Sequence, residues 1–407
     1  MNNRTDDILN KTSLVIGRIG LFIIIAALMF FVLEGVTRLI QLTYSRFSPA
    51  KINREFVDTD DLRSQLIASG LFDDYDSVKY KMLHPFLRHT YYPNQNYKSF
   101  TINKWGYRGV DFELKKKDNV KRLVLLGGSV AFGYGATSDE TTICGYLKQM
   151  LRQENTKYEV INLAVQGYKS IHELFLFETF VLKLKPDILV ILDGYNDLCW
   201  PSDIVAKDRI VPDFPIYWDK IESLFAGSTS FGGRLATKVI SASLVYNLME
   251  KSAFIRFLKT CLLFRSDAPS IIYKINNSDD KPIIDAWVGN INNIALLSKT
   301  YAIKPVVFMQ PIALDGKKLT HSEKTIVSKY FKGEEQYKTA MVKRYNIAAD
   351  SMRKTFDKAG VLFIDGRDVF NGEERSIYFD IAHFSDLGNK LIARKICEHI
   401  DIENARQ

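Results

Sequence analysis

Residues 122–129 read RLVLLGGS. Leu123, Val124, Leu125 and Leu126 run without a break into Gly127-Gly128. A short, continuous apolar run that stops at glycines reads as a strand buried on both faces, as in a parallel sheet. The signature recurs at 158–163 (YEVINL), 187–192 (DILVIL), 304–309 (KPVVFM) and 361–364 (VLFI). Helical spacing lies between these runs, at 141–153, at 171–184 before Pro186, and at 338–359. Strands alternating with helices argue for a parallel α/β sheet covered on both faces. Sites in such sheets form beyond the C-terminal ends of the strands, and Ser129, Gly167, Asn196 and Gln310 all follow strands.

Four short segments in one order carry the chemistry: Gly127-Gly128-Ser129, Gly167, Gly194-Tyr195-Asn196-Asp197, and Asp380-Ile381-Ala382-His383. A serine at a sharp strand-to-helix turn can protrude, and its own N–H points outward as a donor. Taken alone it is an ordinary N-cap. The glycines that follow, Gly133 and Gly135, suggest a phosphate loop, but neither G-K-[ST] nor G-x-G-x-x-G is present. Gly167 offers a backbone N–H that substrate can approach closely, and Asn196 an amide that donates without adding charge. In other settings these are a turn glycine and an Asn turn. Asp380 and His383 are near enough in sequence for the carboxylate to orient the imidazole, whose other nitrogen would face Ser129 as general base. Together the segments supply a nucleophile, an acid–base pair and the oxyanion donors Ser129, Gly167 and Asn196, which is the equipment for acyl transfer through a serine ester. Ser385 reads as the N-cap of a helix from Asp386 onward. Gln310 and His321 are candidate substrate-binding residues at the pocket edge. No pair among His84, His89, His172, His321 and His399 has metal-ligand spacing.

The chain has 407 residues, 46% of them apolar and 12% aromatic, enough for one large catalytic domain with extra segments. Its net charge of +8 is not organised into basic runs interleaved with stacking aromatics, so nucleic acid is not an expected partner. It suits an anionic membrane surface or an acidic glycan. Cys144, Cys199, Cys261 and Cys397 are widely spaced, with no C-x-x-C. They read as small buried apolar residues, with a disulfide open if the domain is extracytoplasmic.

Residues 19–33, IGLFIIIAALMFFVL, carry no charge, and Arg18 and Arg38 flank them with side chains long enough to snorkel. With no A-x-A-like cleavage site after it, the stretch is expected as an uncleaved single-pass anchor over 14–40. Basic residues on its two sides do not fix the orientation. A short tail before a single anchor favours an extracytoplasmic domain. The expected organisation is a tail 1–13, an anchor 14–40, a connector 41–100, and a catalytic domain 101–407. An insertion at about 201–285, with an amphipathic helix within 244–264, would cap the site.

On the blocks Gly127-Gly128-Ser129, Gly167, Gly194-x-Asn196-Asp197 and Asp380-x-x-His383, the chain resembles the SGNH hydrolases, or GDSL-like lipase/acylhydrolase superfamily. The resemblance covers about 101–400 and includes TINKWGYRG at 101–109 and HFSDLGN at 383–389. The first block departs from Gly-Asp-Ser, as in membrane-anchored bacterial members. The resemblance implies a three-layer α/β/α sandwich with a flavodoxin-like sheet. It also implies Ser129 as nucleophile, His383 as base, Asp380 as orienting acid, and no metal or organic cofactor. The expected activity is a membrane-anchored serine esterase removing a short acyl group, acetyl first, from a cell-envelope or secreted polysaccharide, with an acylated glycan or small ester as partner. Two other readings use the same residues: an O-acyltransferase passing the acyl group to a glycan, and a non-catalytic membrane-tethered glycan-binding or assembly protein.

Overall fold

The structure, a computed structural model, describes residues 22, 25, 28–36, 38, 81–84, 86–151, 157–199, 280–331 and 335–404. The chain divides into two compact units, Met1–Phe56 with Glu222–Ile271, and Val57–Ile221 with Ile272–Gln407. In the first, residues 28–36 are helical and leave Leu28, Met29, Phe31 and Val32 exposed. Among the described residues no helix is long and apolar enough to cross a membrane. Most of the expected anchor 14–40 lies outside them, as do residues 201–279 with the expected amphipathic helix.

The second unit begins with two small antiparallel pairs, β1 (Lys81–His84) with β2 (Arg88–Tyr91) and β3 (Gln95–Asn96) with β4 (Thr101–Ile102). Leu87, Tyr91 and Phe100 from this segment are in the hydrophobic core. These three residues of the expected connector thus pack with the sheet-bearing unit. Then follow β5 (Val120–Gly127), α1 (Ser129–Phe132), α2 (Ile143–Met150), β6 (Lys157–Asn162) and α3 (Ser170–Leu176). After them come β7 (Ile188–Asp193), α4 (Tyr195–Cys199), α5 (Lys281–Thr300), β8 (Lys304–Met309) and α6 (His321–Phe331). The chain closes with α7 (Glu335–Ala359), β9 (Leu362–Asp365) and α8 (Asp386–Asn404).

Strands β6-β5-β7-β8-β9, in that order, form one parallel sheet. Leu123 to Leu126 on β5 and every residue of β7 are buried, as strands covered on both faces require. Each fully buried aliphatic side chain there contributes about 1.5–3 kcal/mol relative to exposure. Helices pack in two groups, α2 with α8 and α3 with α5 and α7, so the sheet is the middle of three layers. The apolar face of α5 explains its place: Ile283, Ile284, Trp287, Ile291, Ile294 and Ala295 recur at helical spacing and are buried. Pro282 sits in its first turn, where a missing N–H costs nothing. This strand order is the flavodoxin-like one, and its direction reverses between β5 and β7. Loops leaving the C-terminal ends of those two strands flank the crevice at that switch point.

Candidate active site

Ser129 stands at the first position of α1, directly beyond the end of β5. The sharp turn needs room as much as flexibility. A Cβ on Gly128 would lie 2.5 Å from Asn196 Nδ2 and 3.2 Å from the Tyr168 carbonyl oxygen. Beyond β6 the chain stays hydrogen-bonded to β5, with Leu163 N donating to Leu125 O at 2.9 Å and Val165 N to Gly127 O at 3.2 Å. Gly167 is thereby brought beside the Ser129 turn. Asn162 fastens the same region, its amide donating to the Ala131 carbonyl at 3.1 Å while its Oδ1 accepts from Ala164 N at 3.0 Å.

Asn196 lies in the first turn of α4, beyond β7, and its Nδ2 donates to Tyr168 O at 2.7 Å. A primary amide has a second N–H to give. The Ser129 and Gly167 backbone N–H groups have no hydrogen-bond partner among the described residues. The next residue, Asp197, accepts from Ser170 Oγ at 2.6 Å and from Ser170 N at 3.0 Å, tying the Asn196 turn to the segment after Gly167.

Residues 377–385 form a tight loop closed by a bridge between Tyr378 and Phe384. His383 Nε2 is 2.7 Å from Ser129 Oγ, and His383 Nδ1 is 2.7 Å from Asp380 Oδ2. Asp380 can only accept when ionised, so Nδ1 carries the proton and Nε2 is the lone-pair nitrogen facing the serine hydroxyl. Asp380 Oδ1 accepts from Ala382 N and His383 N, each at 2.8 Å. Burial works against the Asp380 charge, but His383 and these two N–H donors outweigh it and hold the carboxyl at about 2. Ser129, Gly167, Asn196, Asp380 and His383 are all half-buried, open to a substrate yet largely shielded from bulk water.

The loop is held from behind. Gln310 is buried; its N–H donates to Asp193 O at 2.9 Å and its Nε2 to Ala382 O at 3.3 Å. It braces the loop rather than facing substrate, contrary to its expected role. Glu323 Oε1 accepts from Ile377 N and Tyr378 N, and its Oε2 from Lys317 Nζ at 2.7 Å and Thr320 N at 2.8 Å. Burial opposes its charge, and these donors overcome it, so the carboxyl is held below its ordinary value. His321 is exposed at the start of α6, with no contact to the triad, so it does not join the site. The Ser385 carbonyl accepts from Asn389 N as a cap should, but its buried hydroxyl makes no hydrogen bond, so the expected side-chain cap is absent.

Several residues at the site carried no signal we read in the sequence. Arg88 Nη1 donates to Gly167 O at 3.2 Å, Tyr91 Oη accepts from Gln166 N at 3.2 Å, and Tyr168 Oη donates to His89 O at 2.7 Å. The β1–β2 pair thus buttresses the Gly167 turn. Behind Asn196 lies a group of acids on α3 and β7. Glu173 is fully buried, with neither oxygen hydrogen-bonded, and Asp193 accepts from Trp287 Nε1 at 3.1 Å. Burial first, then the neighbouring Asp193 and Asp197, pushes the Glu173 carboxyl well above its ordinary value. Cys144 and Cys199 are buried free thiols, Cys397 is buried as well, and burial pushes the Cys144 thiol up to about 12. Cys261 lies outside the described residues. Among the described residues no group of three or more His, Cys, Asp or Glu could hold a metal ion. A cleft of about 670 Å³ along the free edge of β6 includes none of the triad.

The sequence profile of the GDSL-like Lipase/Acylhydrolase family matches residues 125–227, a stretch that holds Ser129, Gly167 and Asn196. Over those residues the chain is similar to this acylhydrolase family. Comparison with curated proteins gives no match. Among solved structures, the chain is similar to a GDSL-like lipase from Bacteroides thetaiotaomicron, at 16% identity over 70% of this chain and 89% of that one, TM-score 0.36. It is also similar to a catalytic mutant of an acetylxylan esterase from Geobacillus stearothermophilus, at 15% identity over 70% of this chain and 96% of that one, TM-score 0.37. The fold itself rests on the strand order and register described above.

Proposed function

We propose that this protein is a membrane-anchored serine esterase that removes a short acyl group, acetyl first, from a cell-envelope or secreted polysaccharide. The observation that carries the serine mechanism is the relay Ser129 Oγ–His383 Nε2–Asp380, with both contacts at 2.7 Å. In the reaction the hydroxyl proton passes to His383 Nε2 as Oγ bonds to the ester carbonyl carbon. The carbonyl oxygen becomes an oxyanion facing the Ser129 and Gly167 N–H groups and the Asn196 amide. His383 then gives its proton to the departing sugar oxygen. Water repeats the sequence on the acyl-enzyme and releases the carboxylic acid. The anchor is supported by the uncharged run 19–33 and by the exposed apolar side chains on the helix over 28–36. That anchor and the charge of +8 favour an anionic envelope glycan as the substrate, with the domain outside the membrane.

The test is fluorophosphonate labelling of the detergent-solubilised full chain beside Ser129→Ala, followed by acetate release from acetylated envelope glycans. Labelling of the wild type alone, with acetate released, supports the proposal. Equal labelling of Ser129→Ala refutes the assigned nucleophile. Labelling without release, but with acyl transfer to an added glycan, replaces hydrolysis by transfer.

A further inference from the structure

Gly133 and Gly135, the glycines that suggested a phosphate loop, build a turn with a different use. Their φ angles are +89° and +86°, and a Cβ on Gly135 would lie 2.2 Å from the Phe379 ring. Between them, Tyr134 N donates to the Ser129 carbonyl at 2.9 Å, so the turn is fastened to the nucleophile residue itself. It lays the Tyr134 ring on His383, with centroids 4.7 Å apart and planes at 50°. The Phe379 ring lies nearly parallel to the same imidazole, at 10° and 5.9 Å, and 6.1 Å from Tyr134. Both imidazole nitrogens are engaged at the ring edge, by Ser129 and Asp380. Only the ring faces remain to set its tilt, and aromatic side chains supply them.

We propose that Tyr134 and Phe379 are positioning residues that grip His383 by its faces and stabilise the imidazolium it becomes in the transition state. This rests on the serine-esterase reading. As Oγ bonds to the carbonyl carbon, the ring accepts the hydroxyl proton and gains a positive charge. Its side chain is only 16% exposed, so water solvates that charge poorly. Asp380 answers it at one edge. The negative face of Tyr134, within the roughly 6 Å over which cation–π attraction acts, answers it from another direction. The charge disappears when the proton passes to the leaving oxygen. An interaction present only while the ring is charged lowers the barrier without tightening substrate binding.

The test compares Tyr134→Leu and Tyr134→Phe with the wild type in the full chain, using p-nitrophenyl acetate and the fluorophosphonate labelling rate. Tyr134 is half-buried, and Leu retains apolar bulk without a π face. We expect Tyr134→Leu to lower kcat and the labelling rate about three- to thirtyfold with KM within about twofold. We expect Tyr134→Phe to stay within about twofold of the wild type, since the ring is kept. The inference is overturned if Tyr134→Leu keeps full kcat, if its loss falls in KM, or if Tyr134→Phe loses as much. A wild type that neither labels nor turns over would instead overturn the serine-esterase reading.

Discussion

Replacing Asn196 by Ala separates the donors of the oxyanion site from the rest of the catalytic apparatus. The Asn196 amide has two N–H groups, and one is spent on Tyr168 O at 2.7 Å. The other is the only side-chain donor assigned to the site, beside the two backbone N–H groups of Ser129 and Gly167. Removing one donor from such a set costs roughly 2.7–4 kcal/mol of transition-state stabilisation, or about 100- to 1000-fold in kcat. The Tyr168 carbonyl also loses its partner, which costs about 1 kcal/mol of folding stability, or roughly 2–4 °C in Tm for a domain of this size. The two effects are read independently. Steady-state hydrolysis of p-nitrophenyl acetate gives kcat and KM, and thermal unfolding reports the stability cost. We expect kcat to fall by about two to three orders of magnitude, with KM within about threefold, and Tm to drop by a few degrees. Asn196→Asp, which keeps the shape but puts an acceptor where a donor stood, should be worse than Ala. A loss in kcat below about tenfold, or a loss confined to KM, would show that Asn196 does not face the developing oxyanion.

Gly128→Ala tests the same geometry by crowding: its Cβ would meet Asn196 Nδ2 at 2.5 Å, so the activity loss should approach that of Asn196→Ala, and the double variant should lose little more; additive losses in that cycle would sink the argument. Glu173 is buried and its carboxyl is raised above the ordinary 4.5, so its effect on stability is favourable at low pH and is lost as pH rises through the folded value. Glu173→Gln should therefore gain Tm relative to the wild type as pH is raised from about 5 to 9; a difference in Tm that stays flat across that range would contradict it. Asp380, held at about 2 against an ordinary 3.8, works the other way: its contribution, about 2 kcal/mol, is present above pH 4 and lost as pH falls toward 2. Urea unfolding of Asp380→Asn should show that deficit at neutral pH and its disappearance in acid, and an equal deficit at both pH values would refute the assignment.

The parts of this fold that could be read from sequence are those with strong local signals. β5 and β7 are continuous apolar runs because both faces of each are covered, and their observed ends fall within a residue or two of expectation. Asp380 and His383 are legible because three residues of chain bring both to one loop. Gln310 lies just past β8, but the direction of its side chain is not legible in the sequence: it turns to Ala382, a residue 72 positions away. His321 follows the same strand, yet α6 starts there and leaves it exposed. The strands at 81–84, 88–91 and 95–96 are only two to four residues long, too short to carry a periodic signal of their own. Tyr91 and Phe100 become core residues only through partners distant in sequence, which no local pattern records. The helix α5 is not legible because it begins inside what reads as an irregular insertion. Gly133 and Gly135 suggest a phosphate loop that no G-K-[ST] or G-x-G-x-x-G supports, and the ring beside them is not legible, since a glycine turn reveals its freedom and not its occupant.

The candidate catalytic groups come from four separate places, beyond β5, β6, β7 and β9, and each is fixed by a group that belongs to another. Asn196 is oriented by the Tyr168 carbonyl beside Gly167, and Asp197 by Ser170 in the same segment. The His383 loop is braced by Gln310 beyond β8 and by Glu323 on α6. The Tyr134 turn is held by the Ser129 carbonyl. Such cross-bracing makes the site stiff, because no element can shift without stretching a hydrogen bond to its neighbour. Stiffness matters most for an oxyanion site, where donors must already point at a charge that has not yet formed. It also accounts for the buried Lys317–Glu323 pair. A buried ion pair is weak evidence for stability in itself, since desolvation consumes most of its attraction. This pair has a further return in position: the charge that Lys317 sustains on Glu323 receives the backbone N–H groups of Ile377 and Tyr378, the residues that lead directly to Asp380. The carboxylate thus sets where the catalytic loop begins, and the loop sets where His383 meets Ser129.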